Sequence, residues 1–161
     1  KLWRPERIAA VLDRLHDAGA PPAVLLGAPD EREIAGRVSA AARAPLVDLV
    51  GRTSLRQLTA VLNLAEAVLC HDSGPMHIAA ALHRPTVALF GPTDPRRCGP
   101  YSPVARVVQT AIDCSPCYRR TCDHHSCMER LTVDTVYNAI APLVCPPTAT
   151  PAGALAAGRA R

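Results

Sequence analysis

Apolar residues along this chain recur at two alternating spacings, and the alternation predicts an α/β fold. From Pro5 to Ala18 they fall at Ile8, Val11, Leu12 and Leu15, a helical stripe that ends at Gly19. Ala23 to Leu26 is a compact apolar run closed by Gly27 and predicts a short buried strand. Asp30 then caps a second helix through about Ala42, and Leu46 to Leu49 forms the next strand. Ser54 caps a third helix, with Leu55, Leu58, Val61, Leu62 and Leu64 facing inward. Val68 to Cys70 reads as a strand, Pro75 to Leu82 as a helix, and Thr86 to Phe90 and Val104 to Val108 as two further strands. A cysteine-rich loop follows, then a helix from Val133 to about Leu143. Strands that alternate with helices pair in parallel through right-handed crossovers. The expected architecture is a Rossmann-like, doubly wound parallel sheet.

Ligands of such sheets sit at the carboxyl ends of the strands. Gly27, Asp72 to Gly74, and Gly91 all fall at that edge. The turn at His71-Asp72-Ser73-Gly74-Pro75-Met76-His77 is suited to an anion. Ser73 offers a hydroxyl, and Gly74 admits close approach to the backbone. Pro75 fits the first helical position, where its missing N–H costs nothing. The amides of Met76 and His77 then point out of a helix end that favours negative charge. The plain alternative is an ordinary helix cap, for which Asp or Ser followed by Pro suffices. Convergence of three glycine turns on one edge favours a phosphate-bearing ligand.

Composition narrows the class. The chain has 161 residues, 48% hydrophobic and 20% charged, which suits one globular domain rather than a disordered chain. Aromatics are 3% and the net charge is +4, with Arg96-Arg97 and Arg119-Arg120 the only tight basic pairs in the body. Nucleic acid is therefore not expected as a partner. A phosphorylated small molecule or the edge of an anionic membrane fits better. No apolar run approaches the roughly 18 to 20 residues that span a bilayer, and no signal peptide is visible. The chain opens on Lys1 inside a pattern, so a preceding part of a larger protein is expected. Residues 146–161, with Pro146-Pro147 and then Ala and Gly, read as a flexible tail after a body of residues 1–145.

Asp72-Ser73-Gly74-Pro75-Met76-His77-Ile78-Ala79-Ala80-Ala81, followed by Pro85-Thr86-Val87-Ala88-Leu89-Phe90-Gly91-Pro92-Thr93-Asp94-Pro95 and Gly99-Pro100-Tyr101, resembles the family 9 glycosyltransferases. These are the bacterial heptosyltransferases of lipopolysaccharide core assembly. Lys1-Leu2-Trp3-Arg4-Pro5-Glu6, Gly27-Ala28-Pro29-Asp30-Glu31 and Gly51-Arg52-Thr53-Ser54-Leu55 match in order and spacing, so the resemblance runs from Lys1 to about Leu143. It implies a GT-B architecture of two Rossmann-like domains across a cleft. This chain looks like the C-terminal, nucleotide-sugar donor domain, with ADP-heptose the common donor. The N-terminal acceptor domain, which holds the lipid-linked sugar and supplies the acidic general base, is absent from the chain. The implied reaction inverts the anomeric carbon and needs no metal, and no catalytic residue is expected here. The fragment should bind donor yet transfer little, at a cytoplasmic location facing the inner membrane, where peripheral membrane contact is possible.

The resemblance implies that Ser73 and Gly74, with the amides of Met76 and His77, hold the donor diphosphate. Asp72 would accept hydrogen bonds from sugar hydroxyls or orient the turn, the resemblance implying donor contact; the alternative is a pure cap. Lys1 would pair with the donor nucleotide, and its alternative is a solvated surface lysine. Glu31 would accept ribose hydroxyls, against the alternative of a first-turn glutamate that complements the helix dipole. Thr53 is a candidate for the base pocket, and Thr93, in the rigid Gly91-Pro92-Thr93-Asp94-Pro95 loop, for the sugar or for a structural turn. The His77 side chain is a candidate for a phosphate or hydroxyl contact, or for capping and packing.

Seven cysteines remain. Cys114-x2-Cys117-x4-Cys122-x4-Cys127 is a spacing that can wrap one zinc tetrahedrally or carry an iron–sulfur cluster. Disulfides or free thiols are the alternatives, and a cytosolic setting disfavours disulfides. Cys70 reads as a small core residue. A rival reading is a metal-stapled interaction module whose Rossmann-like fold binds no nucleotide. A self-contained hydrolase lacks a serine nucleophile elbow.

Overall fold

The computed structural model describes residues 2–145. Lys1 and the segment read as a flexible tail lie outside the described residues. Five strands alternate with helices: α1 (Pro5–Asp17), β1 (Ala23–Leu25), a single 3-10 turn (Pro29–Glu31), α2 (Arg32–Ala41), β2 (Leu46–Asp48), α3 (Leu55–Leu64), β3 (Val68–His71), α4 (Gly74–Ala81), β4 (Thr86–Phe90), α5 (Pro95–Cys98), β5 (Ala105–Gln109), α6 (Ser126–Glu129) and α7 (Val133–Val144). Every strand pair is parallel, as the alternation predicts.

β4 organises the packing. All five of its residues are buried, as expected of a strand with a parallel neighbour on each edge and cover on both faces. Alternation along the strand divides them. Val87 and Leu89 enter one cluster with Trp3, Val11 and Leu15 from the α1 side and Val136 and Ile140 from α7. Ala88 and Phe90 enter the other, with Met76 of α4. Helices thus cover both faces, the doubly wound arrangement.

The α1 and α7 layer is tied at its edge by the start of the chain. Trp3, 1% exposed, donates its indole N–H to the Leu131 carbonyl at 3.0 Å. Arg7 donates to the Glu129 and Leu131 carbonyls at 2.6 and 2.8 Å. Further along, Arg14 pairs with Asp134 at 2.6 Å and lies over the Tyr137 ring. The Trp3 backbone amide donates to His71 Nε2 at 3.0 Å, at the end of β3. An accepting Nε2 places the neutral imidazole proton on Nδ1.

Four expectations shift. The strands form two hydrogen-bonded groups, β1–β2 and β3–β4–β5, and no strand among the described residues joins β1 to β3. Asp30 does not cap α2: the Ala28 amide is taken by Glu31 Oε2 at 2.7 Å, which winds Pro29–Glu31 into its own turn before α2 begins. Leu55 and Leu64 are 70% and 83% exposed rather than inward. Leu64 sits about 200° around the helix from buried Leu62, and Leu55, at the first residue of α3, lies outside both core clusters. Pro75 is the second helical residue, and Gly74 the first. The Ser54 cap is as predicted: its Oγ accepts from Gln57 N, and Gln57 Oε1 accepts from Ser54 N at 2.9 Å. Among the described residues no helix is long and apolar enough to cross a membrane.

Desolvation lowers the His71 pKa from 6.5 to about 4. A base with a depressed folded pKa favours the native state fully above about pH 6.5, and that contribution is lost as pH falls toward 4. The expected loss is about 2–3 kcal/mol after allowance for partial exposure. In urea melts from pH 7.5 to 4.5, the wild type should lose stability more steeply below pH 6.5 than His71→Gln, whose amide oxygen still accepts from Trp3. Parallel pH profiles would contradict this role.

Candidate functional site

Turns at the carboxyl ends of β1 to β4 carry the polar residues singled out in the sequence. Those after β1 and β2 are bolted together: Gly51 N–H donates to the Gly27 carbonyl at 2.9 Å. Gly51 has φ +66°, and a Cβ there would stand 2.9 Å from Pro29 Cα, so only glycine fits. This contact sets Glu31 and Thr53, both half-buried, on neighbouring turns. One oxygen of Glu31 is already committed to the Ala28 amide.

The start of α4 is the most ligand-ready element. Ser73 is its N-cap residue, in extended conformation, yet its side chain caps no amide. The Ser73 hydroxyl instead donates to the His71 carbonyl at 3.1 Å. A hydroxyl has a single hydrogen, so Ser73 must rotate before it can donate to an anion. With Gly74 first in the helix, the amides of Gly74 and Met76 lack an i−4 carbonyl, Pro75 has no amide, and His77 is the first residue the helix pattern supplies. The sequence reading that paired the Met76 and His77 amides therefore moves one step earlier, to Gly74 and Met76. Met76 offers only its backbone, because its side chain is fully buried against Ala88 and Phe90. His77 is exposed, and a Cβ on Gly74 would meet nothing within 4 Å. Among the described residues nothing therefore crowds the backbone at Gly74. Asp72 is half-buried beside it.

Beyond β4, Thr93 is 3% exposed and its hydroxyl has no hydrogen-bond partner among the described residues. Its carbonyl accepts from Gln109 Nε2 at 3.3 Å. Gln109 and Ser115 also donate to the Gly91 carbonyl, at 3.3 and 2.6 Å, and pin the loop from both sides. Asp94 Oδ1 accepts from Arg96 N and starts α5. The chain from Gly91 to Thr93 is fully buried.

The four clustered cysteines line one cavity with His124 and His125. Cys127 is buried and Cys114 exposed. Burial raises the Cys127 pKa, and the Cys117 and Cys114 sulfurs add to the rise. Cys70 also behaves as a core thiol, pushed up to about 12 by burial.

The nine positions read as one donor site thus fall into groups on successive turns: Glu31 and Thr53, Asp72 to His77, and Thr93. Lys1 lies outside the described residues. Sequence reasoning did not single out His71, Gln109 or Ser115. His71 carried a signal in its place beside Asp72, and Gln109 in being the polar end of an apolar strand; Ser115 had none.

The model of glycosyltransferase family 9 (heptosyltransferase) matches residues 1–127, and the chain belongs to that family. Lipopolysaccharide heptosyltransferase 1 of Pseudomonas aeruginosa is 34% identical over 124 residues, which are 77% of this chain and 34% of that protein. Lipopolysaccharide heptosyltransferase 2 of Escherichia coli K12 is 36% identical over 113 residues, 68% of this chain and 32% of that protein. Among solved structures, E. coli ADP-heptose lps heptosyltransferase II superposes with a TM-score of 0.78 at 30% identity, over 89% of this chain and 42% of that one. E. coli heptosyltransferase WaaC with ADP gives 0.72 at 28% identity, over 89% and 40%. The fold is the parallel α/β unit of these GT-B enzymes. The chain spans about a third of the length of the curated relatives it matches.

Two glycines separate packing from openness. A Cβ on Gly91 would lie 2.5 Å from Met128 Sδ and 3.1 Å from Cys127 Sγ, and both side chains are buried. Gly91→Ala should cost about 1–3 kcal/mol through overpacking. Gly74→Ala, with open space and helical geometry, should add about 0.5 kcal/mol. Urea denaturation of the two variants checks the opposite signs.

Proposed function

We propose that this chain is the donor-binding domain of an inverting heptosyltransferase that takes heptose from a nucleotide sugar of the ADP-heptose type. The observation that carries the proposal is the uncapped, open start of α4 at the carboxyl end of β3, in a chain of family 9. Two amides without helical partners and the dipole behind them suit a diphosphate.

In this reading the diphosphate rests on the Gly74 and Met76 amides, with Ser73 Oγ turning from the His71 carbonyl to meet it. His77 and Asp72 flank it, His77 toward a phosphate oxygen and Asp72 toward sugar hydroxyls. Glu31 receives the ribose, Thr53 lines the base pocket and Lys1 pairs with the nucleotide. The unpartnered Thr93 hydroxyl supports a polar contact to the transferred sugar, since a buried hydroxyl without a partner costs stability until something fills it. An acceptor hydroxyl then attacks the anomeric carbon from the face opposite the leaving group. The bond to the diphosphate breaks, and the helix end stabilises the charge that develops there. The acceptor is a lipid-linked sugar of the lipopolysaccharide core, held by a second domain that also supplies the base. Transfer needs no metal. The place of action is cytoplasmic, against the inner face of the membrane.

Donor binding is the testable step. ADP at a hundredfold excess over its Kd should raise Tm by roughly 5–10 °C. Gly74→Asp fits without a clash and suits the free helix, yet it sets a carboxylate where the diphosphate rests. This variant should keep or raise its Tm without ligand and lose the ADP shift. Glu31→Ala should weaken the shift, while Glu31→Gln keeps the acceptor for the Ala28 amide. No shift with any nucleoside diphosphate in the wild type, or an undiminished shift in Gly74→Asp, would overturn the proposal.

A further inference from the structure

The loop between β5 and α6 calls for an explanation that sugar transfer does not provide. Sixteen residues, 110–125, run without helix or strand. Structureless stretches of that length in a compact domain are usually either functional or disordered linkers, and this one is tied at both ends. The near half is anchored: the Cys117 and Tyr118 amides donate to the Pro92 carbonyl at 2.9 and 2.8 Å, and Ser115 Oγ to the Gly91 carbonyl. The far end is anchored as well, by Cys127 and Met128 in the core. Between them, among the described residues, no amide from Arg119 to His125 donates to a backbone carbonyl. Backbone pairing gives this stretch no tie of its own.

Cys114, Cys117, Cys122 and Cys127 line a single cavity of about 290 Å³ there, with Arg119 and Arg120 also on its wall. His124 is otherwise engaged, with Nδ1 on Ser126 Oγ at 2.9 Å at the start of α6. We propose that these four cysteines bind one zinc ion, which cross-links the loop to α6 and to the Gly91–Pro92 turn. Four sulfurs at ~2.3 Å from the metal complete a tetrahedral shell. Among the described residues no three His, Cys, Asp or Glu side chains stand close enough to hold an ion, so binding draws the thiols together and closes the 119–125 stretch. Four thiols release four protons as Zn²⁺ enters. The resulting tetrathiolate carries a net charge of about −2, which Arg119 and Arg120 on the same wall offset. Zinc suits this role better than a redox-active metal because it asks only for geometry.

The proposal is independent of nucleotide binding, and its readouts are metal content and spectra. The full chain, purified with a non-thiol reductant and without chelator, should carry one zinc by mass spectrometry. Replacement by Co²⁺ should give the intense visible bands of a tetrahedral cobalt tetrathiolate. Cys114→Ser/Cys117→Ser should lose both signals, and Cys98→Ser/Cys145→Ser should keep them. Should the first variant fail to fold, thiol titration of the wild type decides: the zinc-loaded chain should protect four thiols that chelation exposes, and resist proteolysis between Arg119 and His125. Sub-stoichiometric zinc with no cobalt spectrum, iron with acid-labile sulfide, disulfides among these cysteines, or signals that survive the first double variant would each overturn it.

Discussion

Burial of β4 on both faces is the constraint from which the rest follows. A five-residue run with no polar side chain except Thr86 must be covered above and below. Alternation of its side chains sends Val87 and Leu89 to the α1 and α7 layer and Ala88 and Phe90 to α4. Parallel neighbours on both edges then force connections over the faces rather than tight hairpins. Within the β3–β4–β5 group the strands all point one way, so their carboxyl ends share one edge and the turns after β3 and β4 lie along it. The location of the candidate site is thus a by-product of core packing.

What makes that edge chemically useful is a set of unfinished bonds. At the starts of α3, α5 and α7 a side chain takes up a spare amide, from Ser54, Asp94 and Thr132. At α4 the equivalent serine turns its hydroxyl to the strand behind it. Past β4, Thr93 keeps a buried hydroxyl unpaired among the described residues while its backbone is held by Gln109. Packing residues hold these groups in place: Met76 roots the helix in the core, and Gly91 lets Met128 close against the turn.

Elements determined by local chemistry were legible in the sequence. Thr86–Phe90 was read to the residue, because a short apolar run between turn signals has few alternatives, and the Ser54 cap emerged as expected, with Gln57 completing a capping box that the sequence reading had not named. Parallel pairing also followed from the alternation alone. The division of strands into two hydrogen-bonded groups was not legible, since pairing depends on residues far apart in the chain. Nor were α5 and α6, each a single turn too short to show a period. The exchange of capping roles between Asp30 and Glu31 turned on which of two adjacent carboxylates reached the Ala28 amide, a matter of ångströms. Within the site, the positions of Asp72 to His77 were readable, but the direction of the Ser73 hydroxyl was not, because it depends on the His71 carbonyl at the end of β3.

The chain contains one tryptophan. Trp3 joins three separate pieces of the fold: its amide meets His71 at the end of β3, and its indole meets Leu131 just before α7. An aromatic ring so placed is a built-in optical gauge. Its emission reports the seam between the first residues of the chain and the last helix with no background from other indoles, so loosening of that seam can be followed by fluorescence separately from melting of the helices.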